Sequence, residues 1–218
     1  MSVQYLKFEK TGRFYVSGSL DQQYSNYCFV LHGYGQLASY FIEKFKRPEF
    51  KSTLFIAPEG MHRFYLKDSK GRVGASWMTK EDRLNDISDY CNFLDLVYRK
   101  VIPQEGESQR VGLFAFSQGV ATACRWLAHS DYPFAYMVNW AGAFPPDLDF
   151  EKALEKMRTL PLHMVAGTSD EYISEEKLAE HLSSIQKKGF QPELTRFDGG
   201  HQIPGETLVE VLKPLISS

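Results

Sequence analysis

Five short, nearly continuous apolar runs punctuate the chain: YCFVL at 27–31, TLFIA at 53–57, VGLFAF at 111–116, AYMVNW at 135–140 and LHMVAG at 162–167. A strand wetted on one face alternates polar and apolar positions, whereas a strand covered on both faces has no polar face to show. The runs therefore predict parallel strands buried on both sides. ELTRF at 193–197 predicts one more strand near the end of the chain. Between the runs the apolar spacing changes to three and four. The clearest case is Thr79 to Val101, where Leu84, Ile87, Cys91, Leu94 and Tyr98 share one helical face and Thr79 with Asp82 reads as an N-terminal capping pair. GVATACRWLA after VGLFAF, Ser174 to Lys188 with Ser174 as cap and Gly189 as stop, and Glu206 to Ile216 predict further helices.

Ahead of this pattern, Val3 to Phe8 and Arg13 to Ser17 flank Thr11-Gly12 and predict an antiparallel hairpin at the sheet edge. Strands alternating with helices imply an α/β fold with a mostly parallel, doubly wound sheet, whose ligands bind at the carboxyl ends of the strands. Met61 to Met78 is the one long stretch with neither period. It follows TLFIA and so belongs at that functional end. Its Phe64, Tyr65, Trp77 and Met78 suit a pocket wall.

Composition narrows the picture. The 218 residues are 43% hydrophobic, enough for one sizeable core, and no repeat or linker divides them, so residues 1–218 are expected to form a single domain. A net charge of −2, from 25 basic and 27 acidic residues, offers no field for nucleic acid. The densest basic stretch, EKFKRPEFK, carries Phe45 and Phe50 between its charges and reads as a solvated helix end. The opening MSVQYLKFEKTGRFYV lacks the apolar core of a secretion signal, and no segment reaches membrane-spanning length. Cys28, Cys91 and Cys124 are scattered rather than paired. Together these point to a cytoplasmic protein with reduced, buried thiols and no stable membrane insertion, for which a homodimer is an open possibility.

The candidate chemistry centres on AFSQG, residues 115–119. It lies between a buried strand and a helix, the context in which GxSxG forms a sharp elbow that lifts a serine oxygen above the sheet. Positions two before and two after the serine must be small, and Ala115 and Gly119 are. A serine hydroxyl needs a base to take its proton, and the base needs a carboxylate to orient it. With the chain order serine, acid, histidine, the candidates beyond Ser117 are His129, His163, His181 and His201. His163 falls within an apolar strand, and His129 and His181 fall in helical segments. His201, in DGGHQIP, alone follows a strand into a loop, and Asp170, in GTSDEYI, occupies the equivalent loop one strand earlier. Each residue alone could be a helix cap or a surface loop residue. Placed jointly at successive strand ends in this order, Ser117, Asp170 and His201 read as a catalytic triad. The loop LHGYGQ after YCFVL, with Gly33 and Gly35, is suited to turn amides toward a developing oxyanion, and the donors are assigned to the backbone N–H groups of Tyr34 and Gln118. His32 is then structural. The histidines show no HxH or HExxH spacing, and no metal or cofactor is expected.

These residues, LHGYG, APEG, Ser76-Trp77, AFSQG, AGAF, GTSDEYI and GGHQI, occur in an order that resembles the phospholipase/carboxylesterase family of α/β-hydrolases, which includes acyl-protein thioesterases. The resemblance runs from about residue 27 to the end. It implies an α/β-hydrolase fold, the triad and oxyanion donors named above, and hydrolysis of a small-molecule ester. The chain departs from the family's usual GFSQGG at Ala115 and Val120, and HRFYLKDSKGRVGASWM differs from the thioesterase branch. After Phe144 the chain leaves no room for a large lid domain. The expectation is a carboxylesterase-type serine hydrolase for short or medium acyl groups, with Gly33, Gly35, Trp77, Met78 and Phe144 at the substrate. The alternatives are a thioesterase or lysophospholipase on the same triad, and a non-catalytic small-molecule receptor on the same fold.

Overall fold

The computed structural model describes residues 2–103 and 109–217. In chain order the elements are β1 (Phe14–Val16), β2 (Asn26–Leu31), α1 (Ala38–Phe41), β3 (Thr53–Pro58), β4 (His62–Tyr65), β5 (Val73–Ser76), α2 (Arg83–Val101), β6 (Arg110–Phe116), α3 (Gln118–His129), β7 (Tyr136–Trp140), α4 (Phe150–Met157), β8 (Leu162–Gly167), α5 (Glu175–Lys187), β9 (Glu193–Phe197) and α6 (Gly205–Ser217). Two short 3-10 turns, Ile42–Phe45 and Pro48–Phe50, follow α1.

A seven-stranded sheet runs in the order β1-β3-β2-β6-β7-β8-β9. Every pairing is parallel except β1 with β3. The apolar runs are buried on both faces, and their side chains divide by twos as a pleated strand requires. Tyr27, Phe29 and Leu31 of β2, with Leu113 and Ala115 of β6, join the core under α2, α3, α4 and α5. Cys28 and Val30, with Phe114 and Phe116, join a second core under α1 and α6. Two cores on one sheet make this a doubly wound α/β fold, as the strand and helix alternation predicts.

Three expectations need correction. The edge is antiparallel as expected, but β1 pairs with β3, Phe14 opposite Pro58, and residues 3–8 form no strand. Val3, Leu6 and Phe8 are exposed, so the alternation there has no core face to bury. The long irregular stretch is an ordered two-stranded ribbon, β4 on β5, bridged to the β2 loop at Gln36 and Ala75. Helix α2 starts four residues after Thr79. Thr79 Oγ1 accepts the Glu81 N–H at 3.2 Å, closing a turn, and Asp82 takes a left-handed conformation (φ 51°) with no side-chain cap. Leu84 is consequently exposed, while Cys91, Leu94 and Tyr98 are buried as expected. Ser174 caps α5 as predicted, accepting the Lys177 N–H at 3.3 Å. Among the described residues no helix is long and apolar enough to cross a membrane.

The chain turns one way from β2 to β3 and the other way to β6. Loops after β2 and β6 therefore diverge, and the crevice between them at the carboxyl ends is where such sheets bind ligands.

Candidate active site

Ser117 stands directly after β6 in that crevice, with φ 55° and ψ −119°, a conformation that L-residues rarely adopt. Two observations explain why the chain tolerates it. The Ser117 N–H donates to the Trp140 carbonyl at 2.9 Å, fixing the elbow to β7. Gly119 lets the elbow pack onto β2, because a Cβ there would lie 2.3 Å from the Leu31 carbonyl oxygen. The need for a small residue at this position, read from the motif, is thus a need for backbone contact.

The loops after β8 and β9 bring the other two residues to the serine. His201 Nε2 lies 2.9 Å from Ser117 Oγ, and His201 Nδ1 lies 2.8 Å from Asp170 Oδ2. The Asp170 carboxylate is fully buried. Its second oxygen accepts the N–H groups of Tyr172 at 2.9 Å and Ile173 at 3.1 Å, so the loop's own backbone aims the free oxygen at the imidazole. The ring of His201 is held between Phe116 and Tyr172, with centroids 4.8 and 4.7 Å away. A buried, amide-anchored carboxylate favours the Nδ1–H tautomer and leaves the Nε2 lone pair for the serine proton. The arrangement can withdraw that proton and later return it to a leaving group.

The β2 loop is built just as tightly. Gly35 has φ 75°, open to glycine at no steric cost, and its N–H donates to the Ala75 carbonyl of the ribbon at 2.9 Å. Gly33 N–H donates to Gln36 Oε1 at 2.9 Å, and Gln36 N–H to the Gly33 carbonyl at 3.2 Å. Among the described residues the Tyr34 amide alone in this turn has no protein acceptor. Gln118 N–H opens α3, where a first-turn amide has no carbonyl of its own helix to bond.

His32 is structural, as read from the sequence. It is fully buried, its Nε2 accepts the Gly60 N–H at 3.0 Å, and its Nδ1 lies 2.8 Å from the Gly33 carbonyl. Burial lowers its pKa to about 4. Trp77, expected against substrate, is instead fully buried. It stacks on His32 at 5.0 Å and donates its indole N–H to the His32 carbonyl at 2.9 Å, bracing the loop from behind. Met78 is half-buried, and Phe144 is buried beside His181 and Phe190, with its N–H donating to His181 Nε2 at 3.2 Å. The three cysteines are buried and free, and burial pushes Cys28 and Cys91 up to about 12, which rules them out as competing thiolate nucleophiles near neutral pH.

Two supports were not legible as such. The Gln118 side chain clamps the end of the ribbon: Oε1 accepts the Trp77 N–H at 3.2 Å and Nε2 donates to the Met78 carbonyl at 2.9 Å. Glu59, in APEG, is buried. It pairs with Arg13 at 2.6 Å and accepts the Ala38 N–H at 3.2 Å, tying β1 and α1 to the end of β3. An acid beside Pro58 and Gly60 gave the only signal.

Comparison with known proteins bears on the family and the fold. The description serine hydrolase (FSH1) matches residues 24–210. Acyl-protein thioesterase 2 of Zea mays superposes with a TM-score of 0.71 at 17% identity over 95% of this chain and 99% of that one. Esterase PE8 gives 0.69 at 20% identity over 94% and 98%. A phospholipase/carboxylesterase from Dyadobacter fermentans DSM 18053 gives 0.68 at 14% identity over 97% and 99%. At these identities the neighbours speak for the fold. A comparison with curated proteins gives no match. The α/β-hydrolase kinship read from the motifs stands, and because the family match runs from the residues before β2 into α6, the chain belongs to the serine hydrolase (FSH1) family.

Proposed function

We propose that the protein is an esterase that cleaves carboxylic esters of short or medium acyl chains in two steps on Ser117, His201 and Asp170, all within one α/β-hydrolase domain. The observation that carries the reading is the unbroken line from Asp170 Oδ2 through His201 to Ser117 Oγ, with contacts of 2.8 and 2.9 Å. His201 Nε2 takes the serine proton as Oγ bonds to the ester carbonyl carbon. The oxyanion is met by the N–H groups of Tyr34 and Gln118, a role supported by the absence, among the described residues, of a competing acceptor for the first and by the helix-end position of the second. His201 then gives its proton to the departing alkoxide. Water, deprotonated by the same nitrogen, attacks the acyl-enzyme carbonyl and releases the acid and free Ser117. Gly33, Gly35, Met78 and Phe144 remain the residues assigned to substrate. A small-molecule ester is the partner, with no cofactor.

The thioester reading uses the same atoms and is favoured by the likeness to the Zea mays acyl-protein thioesterase. Measuring kcat/KM for acetyl to palmitoyl ethyl esters beside the matching acyl thioesters, with Ser117→Ala as control, tests both. The proposal expects a maximum at short or medium esters. A steady rise to palmitoyl, or thioesters preferred at every length, would overturn it.

A further inference from the structure

A cavity of about 460 Å³ opens between α1, the turn after it, and the β4–β5 ribbon, lined among others by Gly35, Gln36, Tyr40, Lys44 and Arg72. Its size is that of a small-ligand site. We propose that this cavity is the acyl-end subsite and that it receives an anionic group, a carboxylate or phosphate, at the far end of the substrate's acyl chain. The inference rests on the ester-hydrolase reading above and names its substrate class.

Charge is the first argument. Lys44 and Arg72 come from different elements yet face one cavity, and none of its lining residues is acidic. Neither has an ion-pair partner among the described residues. Cations nearby are committed: Lys46 to Glu43 at 2.6 Å, Arg13 and Arg63 to Glu59 at 2.6 and 3.5 Å. Two unpaired cations converging on a concavity favour an anion there, and a guanidinium adds a two-pronged donor for carboxylate or phosphate oxygens.

Position is the second. The cavity shares Gly35 and Gln36 with the loop that borders the nucleophile. A Cβ on Gly33 would sit 3.1 Å from Ser117 Cβ, and Gly35 lies two residues further, a reach of at most about 7 Å. Direction follows from the proton path. His201 must stand beside the leaving oxygen, and it arrives from the β9 side of β6, whereas the cavity lies beyond β2 on the opposite side. The alcohol therefore departs on the histidine side, and the acyl substituent points toward Lys44 and Arg72.

Both cations are solvent-exposed, so their effect is moderate and salt-sensitive. The test compares ethyl hexanoate, monoethyl adipate and an ethyl ω-phosphonoalkanoate of matched length, at low and high salt. The subjects are wild type, the neutralised pair Lys44→Gln/Arg72→Gln, and the reversed pair Lys44→Glu/Arg72→Glu. The readout is the ratio of kcat/KM for anionic over neutral ester within each protein, so any general loss cancels. Wild type should prefer the anionic ester by roughly three- to thirtyfold, as two exposed charge pairs support, with the preference shrinking at high salt. Neutralisation should bring the ratio near one, and reversal should take it below one. Preference for both acids, or for one of them, supports the subsite and tells carboxylate from phosphate. Turnover of all esters with a ratio that the variants leave unchanged overturns the subsite alone. No turnover of any ester would overturn the esterase reading and the subsite with it.

Discussion

His32 makes the stability of the site depend on pH in a window that can be worked out. Its imidazole is fully buried, accepts the Gly60 N–H at Nε2, and has no room for a second ring proton there. Desolvation is the main cause that lowers its pKa from 6.5 to about 4. Above pH 6.5 the residue is neutral in both folded and unfolded chains and contributes no pH dependence. Between 6.5 and about 4 the unfolded chain binds a proton that the folded chain refuses, so stability falls as pH falls, and below about 4 the slope ends. At about 1.4 kcal/mol per pH unit, the gap between the two values is worth about 3 kcal/mol. Urea unfolding of wild type and His32→Gln, followed by tryptophan fluorescence from about pH 7 to about pH 4, isolates this contribution. His181, which burial also lowers, acts alike in both proteins and drops out of the difference. The wild type should lose about 3 kcal/mol more than the variant over that range. Parallel curves for the two proteins would refute the assignment of a neutral, acceptor His32 holding the β2 loop to Gly60.

Two further outcomes follow from the elbow and the triad. Asp170→Asn should lower kcat by about 10⁴ with KM little changed, because an amide at that position favours the wrong imidazole tautomer; a loss below tenfold would deny Asp170 its orienting role. Gly119→Ala places a methyl 2.3 Å from the Leu31 carbonyl, which must move. It should cost about 1–3 kcal/mol in urea unfolding and reduce ester turnover in the protein that remains folded, and a variant as stable and active as wild type would contradict the close packing of β2 on the elbow.

The strands were legible because burial on both faces leaves a signal in composition: YCFVL and VGLFAF are short apolar runs without a polar face, and they form the central strands β2 and β6. The meeting of Ser117, Asp170 and His201 was legible because Asp170 and His201 follow strands whose ends the sheet aligns. What stayed hidden depended on contacts far apart in sequence. Thr79 and Asp82 have the spacing of a cap, yet Gln118 holds residues 77 and 78 from α3, and the helix begins only at Arg83. The ribbon escaped notice because Gly74 and Ala75 lack strand character of their own. Their pairing is decided by Gly35, whose carbonyl lies 2.4 Å from where a Cβ on Gly74 would be. Glu59 was missed for a general reason, since buried acids are rare and their partners, here Arg13 and the Ala38 amide, cannot be read locally. Trp77 was assigned to substrate because aromatic residues near a site suit a pocket wall, but its indole N–H needed a buried acceptor and found the His32 carbonyl.

The measurement that bears most directly on the account is covalent labelling with a fluorophosphonate probe, with the labelled residue located by peptide mapping, on wild type, Ser117→Ala and His201→Ala. The account predicts a single phosphonylated residue, Ser117, in wild type and no labelling of either folded variant, because the hydroxyl reacts only when His201 Nε2 takes its proton. A folded wild type that is not labelled, or labelling that survives the loss of His201, would contradict it.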